Sequence, residues 1–350
     1  MFGYNNKVVQ EDMRLMAKEL LDWHRFDGKT ILVTGATGML ATYISYFLMF
    51  LKEEIGIDLK LVALCRTKAK AEKCFKEFLD KSYFKLLLQD VCEPIQYDDT
   101  IDYIFHLAGN ASPYFINTDP VGIMKSNLLG TFNVLELAKN KQTLKVIFAS
   151  TREVYGKNEN ENSLTETSFG TIDPIDNRSC YPESKRAAET IFRSYFLQYG
   201  INFNALRIAH SYGPGMNLQS DGRVMADLMG NVVDGKDIVL KSSGEALRAF
   251  CYITDAVMGI FYAVLNGDAG EVYNLANETE EISIRDLAEL LVNIRKDKEL
   301  KVVFDIPESN IGYCNYKRVG LNTYKLMNLG WQPKVCLKDG CQRTFKSFTE

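Results

Sequence analysis

The chain has 350 residues, of which 46% are hydrophobic and 25% are charged. These values are typical of globular proteins and exclude disordered, collagen-like and coiled-coil chains. At about 150 residues per domain, the length predicts two units, or one large α/β domain with an appended lobe. The 41 basic and 45 acidic residues leave a net charge of -4, without the basic excess of a nucleic-acid-binding protein. We therefore expect no nucleic-acid partner.

The sequence predicts neither a membrane segment nor a metal site. The longest apolar run, residues 39–51, is shorter than the roughly 20 residues that a membrane-spanning helix needs. The N-terminal residues MFGYNNKVVQEDMR lack the apolar segment of a secretory signal. The eight cysteines form no C-x-x-C pair, which favours buried reduced thiols over zinc ligands or disulfides. We expect a cytoplasmic protein without membrane partners or metal.

The first 26 residues are predicted to form a helical extension. Residues 8–26 place apolar side chains at helical spacing with charged residues between them, a pattern typical of a helix that packs on a larger body.

From Lys29 onward, short apolar runs alternate with amphipathic helical segments. Such alternation predicts a parallel sheet covered by helices on both faces. We predict an α/β fold with a Rossmann-type doubly wound parallel sheet over residues 27–208 and a smaller mixed α/β substrate-binding lobe mainly over residues 209–350. Part of residues 245–276 is expected to be interleaved with the sheet. Predicted strands cover residues 29–34, 59–65, 84–88, 103–108, 145–150 and 202–208, and predicted helices cover residues 41–51, 124–139 and 183–199.

A glycine turn separates the first predicted strand from its helix, in the sequence TGATGMLA. Glycines permit a sharp turn and a close approach to a pyrophosphate, and the following helix N-terminus offers N–H donors. Because a strand precedes this turn and a helix follows it, we predict a dinucleotide site. The cofactor-binding residues expected here are Gly35, Thr37, Gly38, Met39 and Leu40.

The end of the second predicted strand carries Arg66. An acidic residue there would favour NAD, whereas an arginine can pair with a 2′-phosphate and favour NADP. A solvated basic turn is an equally open interpretation, so we expect NAD, with NADP as an alternative. Further cofactor contacts are expected from residues at later strand ends and on neighbouring helices: Asp90, Val91, Leu107, Ala108, Gly109, Asn127 and Ser150.

Tyr181 and Lys185 lie four residues apart in a predicted helix, so both side chains project from one face. A tyrosine has an ordinary pKa near 10, which a neighbouring ammonium and a pyridinium cofactor would lower. The phenolate could then accept a hydroxyl proton while hydride leaves the same carbon. Thr151, just beyond the strand KVIFAS, is expected to contact the same oxygen. Tyr181 and Lys185 are expected to contact the cofactor as well.

The chain resembles extended short-chain dehydrogenases/reductases of the nucleotide-sugar epimerase/dehydratase group. The resemblance rests on TGATGMLA, STREVYG, CYPESKRAAE, RIAHSYGPGMN and LRAFCYITDAV and covers about residues 28–335. The segments HLAGNASP, PIDNRSCYPESKR and SDGRV are most similar to UDP-glucuronate decarboxylases. The resemblance implies bound NAD, a nucleotide-diphosphate sugar substrate and a homodimer. It also implies a redox-neutral cycle in which the sugar is oxidised at C4, altered and reduced again.

Glu153 bears on the step that follows oxidation, because dehydratases and decarboxylases of this group carry a glutamate at the matching position. A carboxylate beside C5 of a 4-keto sugar can act as base or proton shuttle; a structural, salt-bridged glutamate is the alternative. Arg152 departs from the group, since dehydratases have Asp there and decarboxylases have Ser. Arginine cannot donate that proton, which disfavours 4,6-dehydration. Arg152 could pair with a substrate carboxylate or phosphate, or point outward.

The remaining substrate contacts follow from the same resemblance. Arg248, in LRAFCYITD, matches an arginine that reaches the diphosphate or the reacting sugar, and Arg223, in SDGRV, is a second candidate. Asn110, Ser112 and His210 complete the predicted substrate-binding set. His106 and His210 both flank apolar strands, where histidines are more often structural than catalytic.

Two rival functions differ from this one. The first is a reductase of a 4-keto nucleotide sugar or nucleotide-linked polyol, which would use exchangeable NADPH and is supported by Arg66. The second is a dinucleotide-sensing binding protein without catalysis. Retention of both Tyr181 and Lys185 disfavours the binding protein.

Overall fold

The computed structural model describes residues 3–158, 161–219, 222–306 and 318–350. The helices are α1 (Lys7–Met16), α2 (Met39–Phe50), α3 (Lys68–Phe75), α4 (Pro113–Thr118), α5 (Pro120–Lys141), α6 (Cys180–Tyr199), α7 (Val224–Asp234), α8 (Ile253–Asn266), α9 (Ile284–Val292), α10 (Tyr324–Met327) and α11 (Leu337–Thr349). The strands are β1 (Lys29–Thr34), β2 (Leu59–Cys65), β3 (Phe84–Leu88), β4 (Tyr103–His106), β5 (Lys145–Thr151), β6 (Ser163–Leu164), β7 (Phe203–Ile208), β8 (Ser211–Tyr212), β9 (Ile238–Leu240), β10 (Leu247–Ala249), β11 (Cys251–Tyr252), β12 (Glu271–Leu275), β13 (Glu281–Ser283), β14 (Val302–Phe304) and β15 (Gly320–Leu321).

Seven parallel strands form the central sheet, in the order β12-β7-β5-β4-β1-β2-β3. The order reverses at β1, which lies between β2 and β4. In open parallel sheets, ligands bind beyond the carboxyl ends of the strands at such a reversal. The predicted α/β fold with a Rossmann-type doubly wound sheet is confirmed.

Both faces of this sheet are covered, because successive residues of a strand point to opposite sides. Ile31 and Val33 pack with α2 and α8 on one face, whereas Leu32 packs with α5 and α6 on the other. Helix α2 is buried almost all round because it lies between the sheet, α1 and α8. Its apolar run therefore reflects a central position in the core.

The N-terminal helix is shorter than predicted. Helix α1 ends at Met16, and a short 3₁₀ turn covers Trp23–Phe26, so a continuous helix over residues 8–26 is wrong. Trp23 and Phe26 are both buried, and the Trp23 ring lies 5.1 Å from the ring of Phe47. Burying two aromatic side chains on the body of the protein outweighs continuing the helix.

Asp12 of α1 ties the extension to the rest of the molecule. Its carboxylate is fully buried, accepts hydrogen bonds from the hydroxyls of Tyr43 (2.7 Å) and Tyr252 (2.8 Å), and pairs with the Arg343 guanidinium at 2.6 Å. Removing one partner of a buried ion pair costs about 3–5 kcal/mol. We therefore expect Asp12→Ala to lower the free energy of unfolding by about that amount in urea denaturation.

The matched control for this prediction is Glu11→Ala. Glu11 also faces Arg343, at 3.3 Å, but 59% of its side chain is exposed. An exposed pair contributes about 0–1 kcal/mol. Equal losses in the two variants would show that burial of Asp12 does not matter.

The smaller lobe contains the strand pairs β9–β14 and β10–β13 together with α7 and α9. The chain returns to the central sheet at β12, which pairs with β7. The domain limits derived from the sequence stay a prediction.

The described cysteines, residues 65, 74, 92, 180, 251, 336 and 341, are free thiols, and Cys314 lies outside the described residues. Across the described ranges, no helix combines the length and apolar character needed to cross a membrane. The same ranges contain no group of three or more His, Cys, Asp or Glu residues able to hold a metal ion.

Candidate active site

The glycine turn brings the N-terminus of α2 to the carboxyl edge of the sheet. Gly35 has a φ of +63°, and a Cβ there would lie 2.8 Å from the Cα of Ala108. The N–H of Gly38 donates to the carbonyl of Gly35 at 2.8 Å, and α2 begins at the next residue. The turn leaves Thr37, Gly38, Met39 and Leu40 accessible to solvent. An accessible helix N-terminus is a ready anion site.

Residues at the ends of neighbouring strands border the same edge of the sheet as the glycine turn. Gly109 has a φ of +146°, and a Cβ there would lie 2.7 Å from the Oδ1 of Asn127. Asn127 is fully buried, and its Oδ1 accepts no hydrogen bond from any described residue, whereas its Nδ2 donates to Ser184 at 2.8 Å. Close-approach glycines and a buried, unsatisfied amide oxygen fit a dinucleotide lying across this edge.

The close contact of Gly35 with Ala108 predicts that alanine at Gly35 lowers the NAD affinity, whereas alanine at Gly28 does not. Gly28 also has positive φ, at +68°, but no atom lies within 4 Å of a Cβ built there. Both Gly→Ala variants carry the left-handed penalty of about 1–2 kcal/mol, and only Gly35→Ala adds a clash with Ala108. We expect Gly35→Ala to lose NAD affinity in calorimetry and Gly28→Ala to retain it. Equal affinities would remove this turn from the cofactor site.

Arg66 and Asp90 face each other at the ends of β2 and β3. Their charged atoms lie 3.5 Å apart, and 73% of the Arg66 side chain is exposed. Asp90 also accepts a hydrogen bond from the N–H of Cys92 at 2.9 Å, and the hydrogen bonds and Arg66 hold its pKa below the usual value despite partial burial. The neighbouring carbonyl of Val91 accepts from Asn133 at 2.9 Å. The 2′-phosphate of NADP would have to share Arg66 with the carboxylate of Asp90.

We expect Arg66→Asp to lower the affinity for NADP relative to NAD by at least about tenfold, because one charge-assisted hydrogen bond contributes about 1.5 kcal/mol. Affinity measurements with both dinucleotides provide the ratio. Lys68→Asp is the control, since Lys68 is 69% exposed and pairs with Glu72. An unchanged ratio in Arg66→Asp would show that Arg66 serves only Asp90.

Tyr181 of α6 meets Thr151 at the end of β5. The two side chains lie close together and both are buried, and the Tyr181 ring packs against Ile116 and Ile123. Burial raises the pKa of Tyr181, and nearby Glu153 raises it further, while Thr151 and Arg223 act in the opposite direction. The prediction of a lowered phenol pKa is therefore wrong for the protein's own groups.

The Lys185 ammonium contacts the end of β5. The Nζ atom donates to the carbonyl of Ala149 at 2.7 Å and lies 4.5 Å from the centre of the Phe148 ring. Burial lowers the pKa of Lys185 to about 7, while Glu189 favours its charged form.

His106 is structural, as predicted. Its Nδ1 lies 2.9 Å from the Thr34 hydroxyl and its Nε2 lies 3.3 Å from the Thr131 hydroxyl. Burial and Lys185 lower the pKa of His106 to about 3, so the ring is neutral.

Glu153 lies just beyond Thr151, in the 3₁₀ turn Arg152–Tyr155. Protein surrounds its carboxyl group on most sides, yet 42% of its side chain is exposed, and the Arg178 guanidinium lies 3.6 Å away. Burial raises the pKa of Glu153, which increases its protonated fraction. The ion pair between Glu153 and Arg178 agrees with a structural role for Glu153. Glu153 also raises the pKa of Tyr181, so its carboxyl group lies near the predicted catalytic pair Tyr181 and Thr151.

Arg152 lies in a cluster of positive charge around His210. Its guanidinium donates to the carbonyl of Val319 at 2.7 Å, so it does not point outward into solvent. His210 is exposed to solvent on one side, but desolvation by the surrounding protein, together with Arg152, Arg248 and Arg318, lowers its pKa to about 3. His210 is therefore a neutral side chain. Sequence reasoning missed Arg318, which Glu278 and Glu281 hold in place.

The other predicted substrate contacts border α4 and α7. The side chain of Asn110 accepts from the N–H of Ser112 at 3.0 Å, and Ser112 precedes the first residue of α4. Arg223 precedes α7 and lies close enough to influence Tyr181. Between the two helices is an open groove of about 570 Å³, lined by Pro113, Tyr114, Asn117, Leu218, Gly222, Asp227 and Asn231.

Residues 31–276 match the family model of the NAD dependent epimerase/dehydratase family. The chain belongs to this family. UDP-glucuronic acid decarboxylase 6 of Arabidopsis thaliana is 33% identical over 337 residues, covering 96% of this chain and 89% of that protein. UDP-glucuronic acid decarboxylase 1 of Xenopus tropicalis is 32% identical over 323 residues, covering 92% and 72%. The family resemblance, an enzymatic function and NAD as cofactor are thereby confirmed.

Solved structures agree on the fold. A UDP-glucose 4-epimerase from Thermotoga maritima, solved with UDP-glucose, superposes with a TM-score of 0.76 at 23% identity, covering 91% of this chain and 98% of that one. DesIV, a dTDP-glucose 4,6-dehydratase from Streptomyces venezuelae with NAD and TYD bound, superposes with a TM-score of 0.74 at 22% identity, covering 91% and 97%.

Sequence reasoning missed other polar residues of this epimerase/dehydratase site. Arg178 lies three residues before Tyr181, in the quoted segment NRSCYPESK, so the motif itself contained that signal. Glu189 and Arg207 pair at 2.7 Å, and the Ser150 hydroxyl, predicted to contact the cofactor, donates to Glu189 at 2.5 Å. Helical spacing from Lys185 could have identified Glu189.

Proposed function

We propose that this enzyme oxidises a UDP-linked hexuronate at C4 and releases its carboxylate as carbon dioxide. Decarboxylase relatives are 33% identical across 96% of the chain. The observation that carries the proposal is the closeness of the buried Tyr181 and Thr151 to each other and to Glu153, each of which affects the pKa of Tyr181. This arrangement supports a role for Tyr181 in proton transfer at C4 and a role for Glu153 in proton transfer at C5.

In the first step, Tyr181 removes the C4 hydroxyl proton while Thr151 hydrogen-bonds the same oxygen. NAD, which the α2 N-terminus and the strand-end residues would hold, would supply a hydride acceptor for C4 and the hydride for the later reduction. Lys185 is the positive group on the same helix face as Tyr181, and its charged form favours the phenolate electrostatically. General acid–base catalysis of this kind contributes about 10²–10⁴-fold.

The second step breaks the C5–C6 bond. A 4-keto hexuronate is a β-keto acid, so the electron pair of that bond moves toward the C4 oxygen as carbon dioxide leaves. Glu153 then gives a proton to C5, which its raised pKa favours because more of the carboxyl is protonated. Tyr181 returns its proton to the C4 oxygen, and the sugar leaves as a pentose with no net oxidation.

We assign the binding roles as follows. The α2 N-terminus holds the cofactor diphosphate, and strand-end residues contact the rest of the dinucleotide. The cofactor set is Gly35, Thr37, Gly38, Met39, Leu40, Arg66, Asp90, Val91, Leu107, Ala108, Gly109, Asn127, Ser150, Tyr181 and Lys185. The substrate set is Asn110, Ser112, Arg152, His210, Arg223 and Arg248.

Arg152 favours a second candidate, epimerisation at C4 with the carboxylate retained. A guanidinium near the carboxylate stabilises a negative charge that disappears as carbon dioxide leaves, so it stabilises the ground state more than the transition state. The same Tyr181–Thr151 pair would oxidise C4, and the 4-keto sugar would turn over before reduction.

Incubation of the enzyme with NAD and UDP-glucuronate, followed by mass spectrometry of the nucleotide sugars, separates the candidates. We expect a UDP-pentose and an equal amount of carbon dioxide. A UDP-hexuronate inverted at C4 would support epimerisation. Failure to convert UDP-glucuronate would contradict both, and consumption of NADPH with a 4-keto nucleotide sugar would support a reductase.

We further propose a homodimer formed through α5 and α6, in a cytoplasmic enzyme. The two helices pack together, with the rings of Phe132 and Tyr195 6.3 Å apart. Both helices carry apolar residues that are exposed to solvent: Val121 is 62% exposed, Phe132 is 44% exposed and Leu197 is 68% exposed. A second copy of the chain would bury these apolar residues.

Light scattering should report a dimer for the native protein, and Phe132→Glu should give a monomer. A monomeric native protein would contradict the proposal.

A further inference from the structure

Helix α6 contacts β5 at three successive turns. Tyr181, Lys185 and Glu189 are spaced four residues apart and share one helix face. The Tyr181 side chain lies close to that of Thr151, Lys185 donates to the carbonyl of Ala149 at 2.7 Å, and Glu189 accepts from the hydroxyl of Ser150 at 2.5 Å. All three contacts fall on consecutive residues of one strand end.

Arg207 of β7 holds the Glu189 carboxylate in position. The Arg207 guanidinium on β7 donates to both carboxylate oxygens, at 3.1 Å through Nε and 2.7 Å through Nη2. Only 12% of the Glu189 side chain and 13% of the Arg207 side chain are exposed. Arg207 also lies over the Tyr155 ring at 4.7 Å. Such a buried, bidentate pair fixes the carboxylate far better than a surface pair does.

We propose that Glu189 is a positioning residue for the proton-transfer pair, fixing α6 against the end of β5 and supplying the negative charge that faces the Lys185 ammonium. This inference rests on the proposed chemistry at C4. Glu189 acts through Ser150 and Lys185 and not on a sugar carbon.

Among the described residues around Lys185, Glu189 supplies a negative charge that favours the ammonium, in addition to the carbonyl of Ala149 and the ring of Phe148. His106 faces it from β4 and stays neutral, with a pKa of about 3. Asn127 faces it from α5 without a charge, and the Phe148 ring faces it from β5. Arg207 and Ser150 are the partners of Glu189 itself. Burial alone would lower the pKa of Lys185, and Glu189 opposes that effect.

The test is an NMR titration of the lysine ¹³Cε signals in the full-length protein, with the Lys185 signal assigned from Lys185→Arg. We expect the native signal to titrate near pH 7 and that of Glu189→Gln to titrate about one unit lower, since removing an opposite charge disfavours the ammonium. Glu183→Gln, the same substitution at a half-exposed α6 position paired with Arg186, should match the native protein. An unchanged midpoint in Glu189→Gln would overturn the proposal.

Glu189→Asp tests positioning separately and serves if Glu189→Gln does not fold. It keeps the charge but shortens the side chain, so the midpoint should stay near the native value. On whichever nucleotide sugar the native enzyme converts, kcat should fall about tenfold with little change in KM, as for an interaction made in the transition state. A native kcat would overturn the proposal. Because the titration needs no substrate, failure of the enzyme to convert UDP-glucuronate leaves this test intact.

Discussion

Tyr181→Phe should abolish turnover while leaving the fold and NAD binding intact. The phenol oxygen is the proposed acceptor of the C4 hydroxyl proton, and its loss should lower kcat by about 10²–10⁴-fold. The ring itself remains, so its packing against Ile116 and Ile123 is preserved. Calorimetry with NAD should therefore give the native affinity. Steady-state assays with the nucleotide sugar give kcat.

Tyr195→Phe is the matched control for this result. It removes a hydroxyl from the same helix, where Tyr195 donates to Glu136 at 2.6 Å, away from Thr151. Its kcat should remain close to native. Tyr181→Phe activity within about threefold of native would be too small a loss for a general acid–base group and would remove Tyr181 from the proposed chemistry.

Glu153→Gln should separate oxidation at C4 from the step at C5. Hydride transfer depends on Thr151, Tyr181 and Lys185, which the substitution leaves in place. Glutamine keeps the shape of the side chain but has no carboxyl proton to exchange. In a single turnover, nicotinamide absorbance should therefore report oxidation of the sugar at a near-native rate. Product formation, followed in the same reaction, should be slowed by about 10²-fold or more.

Other results of the Glu153→Gln experiment would give Glu153 a different role. Equal slowing of both signals would mean that Glu153 orients the substrate. Native rates in both would mean that its pair with Arg178, at 3.6 Å, is structural. Glu183→Gln, the same change at a half-exposed position of α6 that pairs with Arg186, should leave both signals unchanged.

The sheet could be predicted because its strands carry their own signal. β2 and β3 have the predicted bounds, residues 59–65 and 84–88. β2 lies inside the sheet and reads as a nearly continuous apolar run, whereas β3 lies at the edge of the sheet and has only its first residue buried. The end of α1 could not be predicted. Apolar spacing extends past Met16, but tertiary burial of Trp23 and Phe26 decides where the helix stops.

The site was predicted where local spacing sets the geometry and missed where distant segments meet. Tyr181 and Lys185 share a face because four residues make about one helical turn, and both line the β5 edge. Without the cofactor, the pKa of Tyr181 is raised rather than lowered, because it depends on burial and on Glu153, which spacing along the chain does not report. Arg318 reaches His210 from a segment more than a hundred residues away along the chain, which no spacing rule reports.

The most direct measurement of a redox-neutral cycle at C4 uses UDP-glucuronate carrying deuterium at that carbon. In ordinary water with NAD, we predict a UDP-pentose that retains deuterium at C4, because the hydride leaves and returns to one carbon within one site. Its C5 should carry a hydrogen from solvent, delivered through Glu153. Loss of deuterium from C4, with label accumulating in free nicotinamide cofactor, would contradict the account and would indicate a net oxidoreductase.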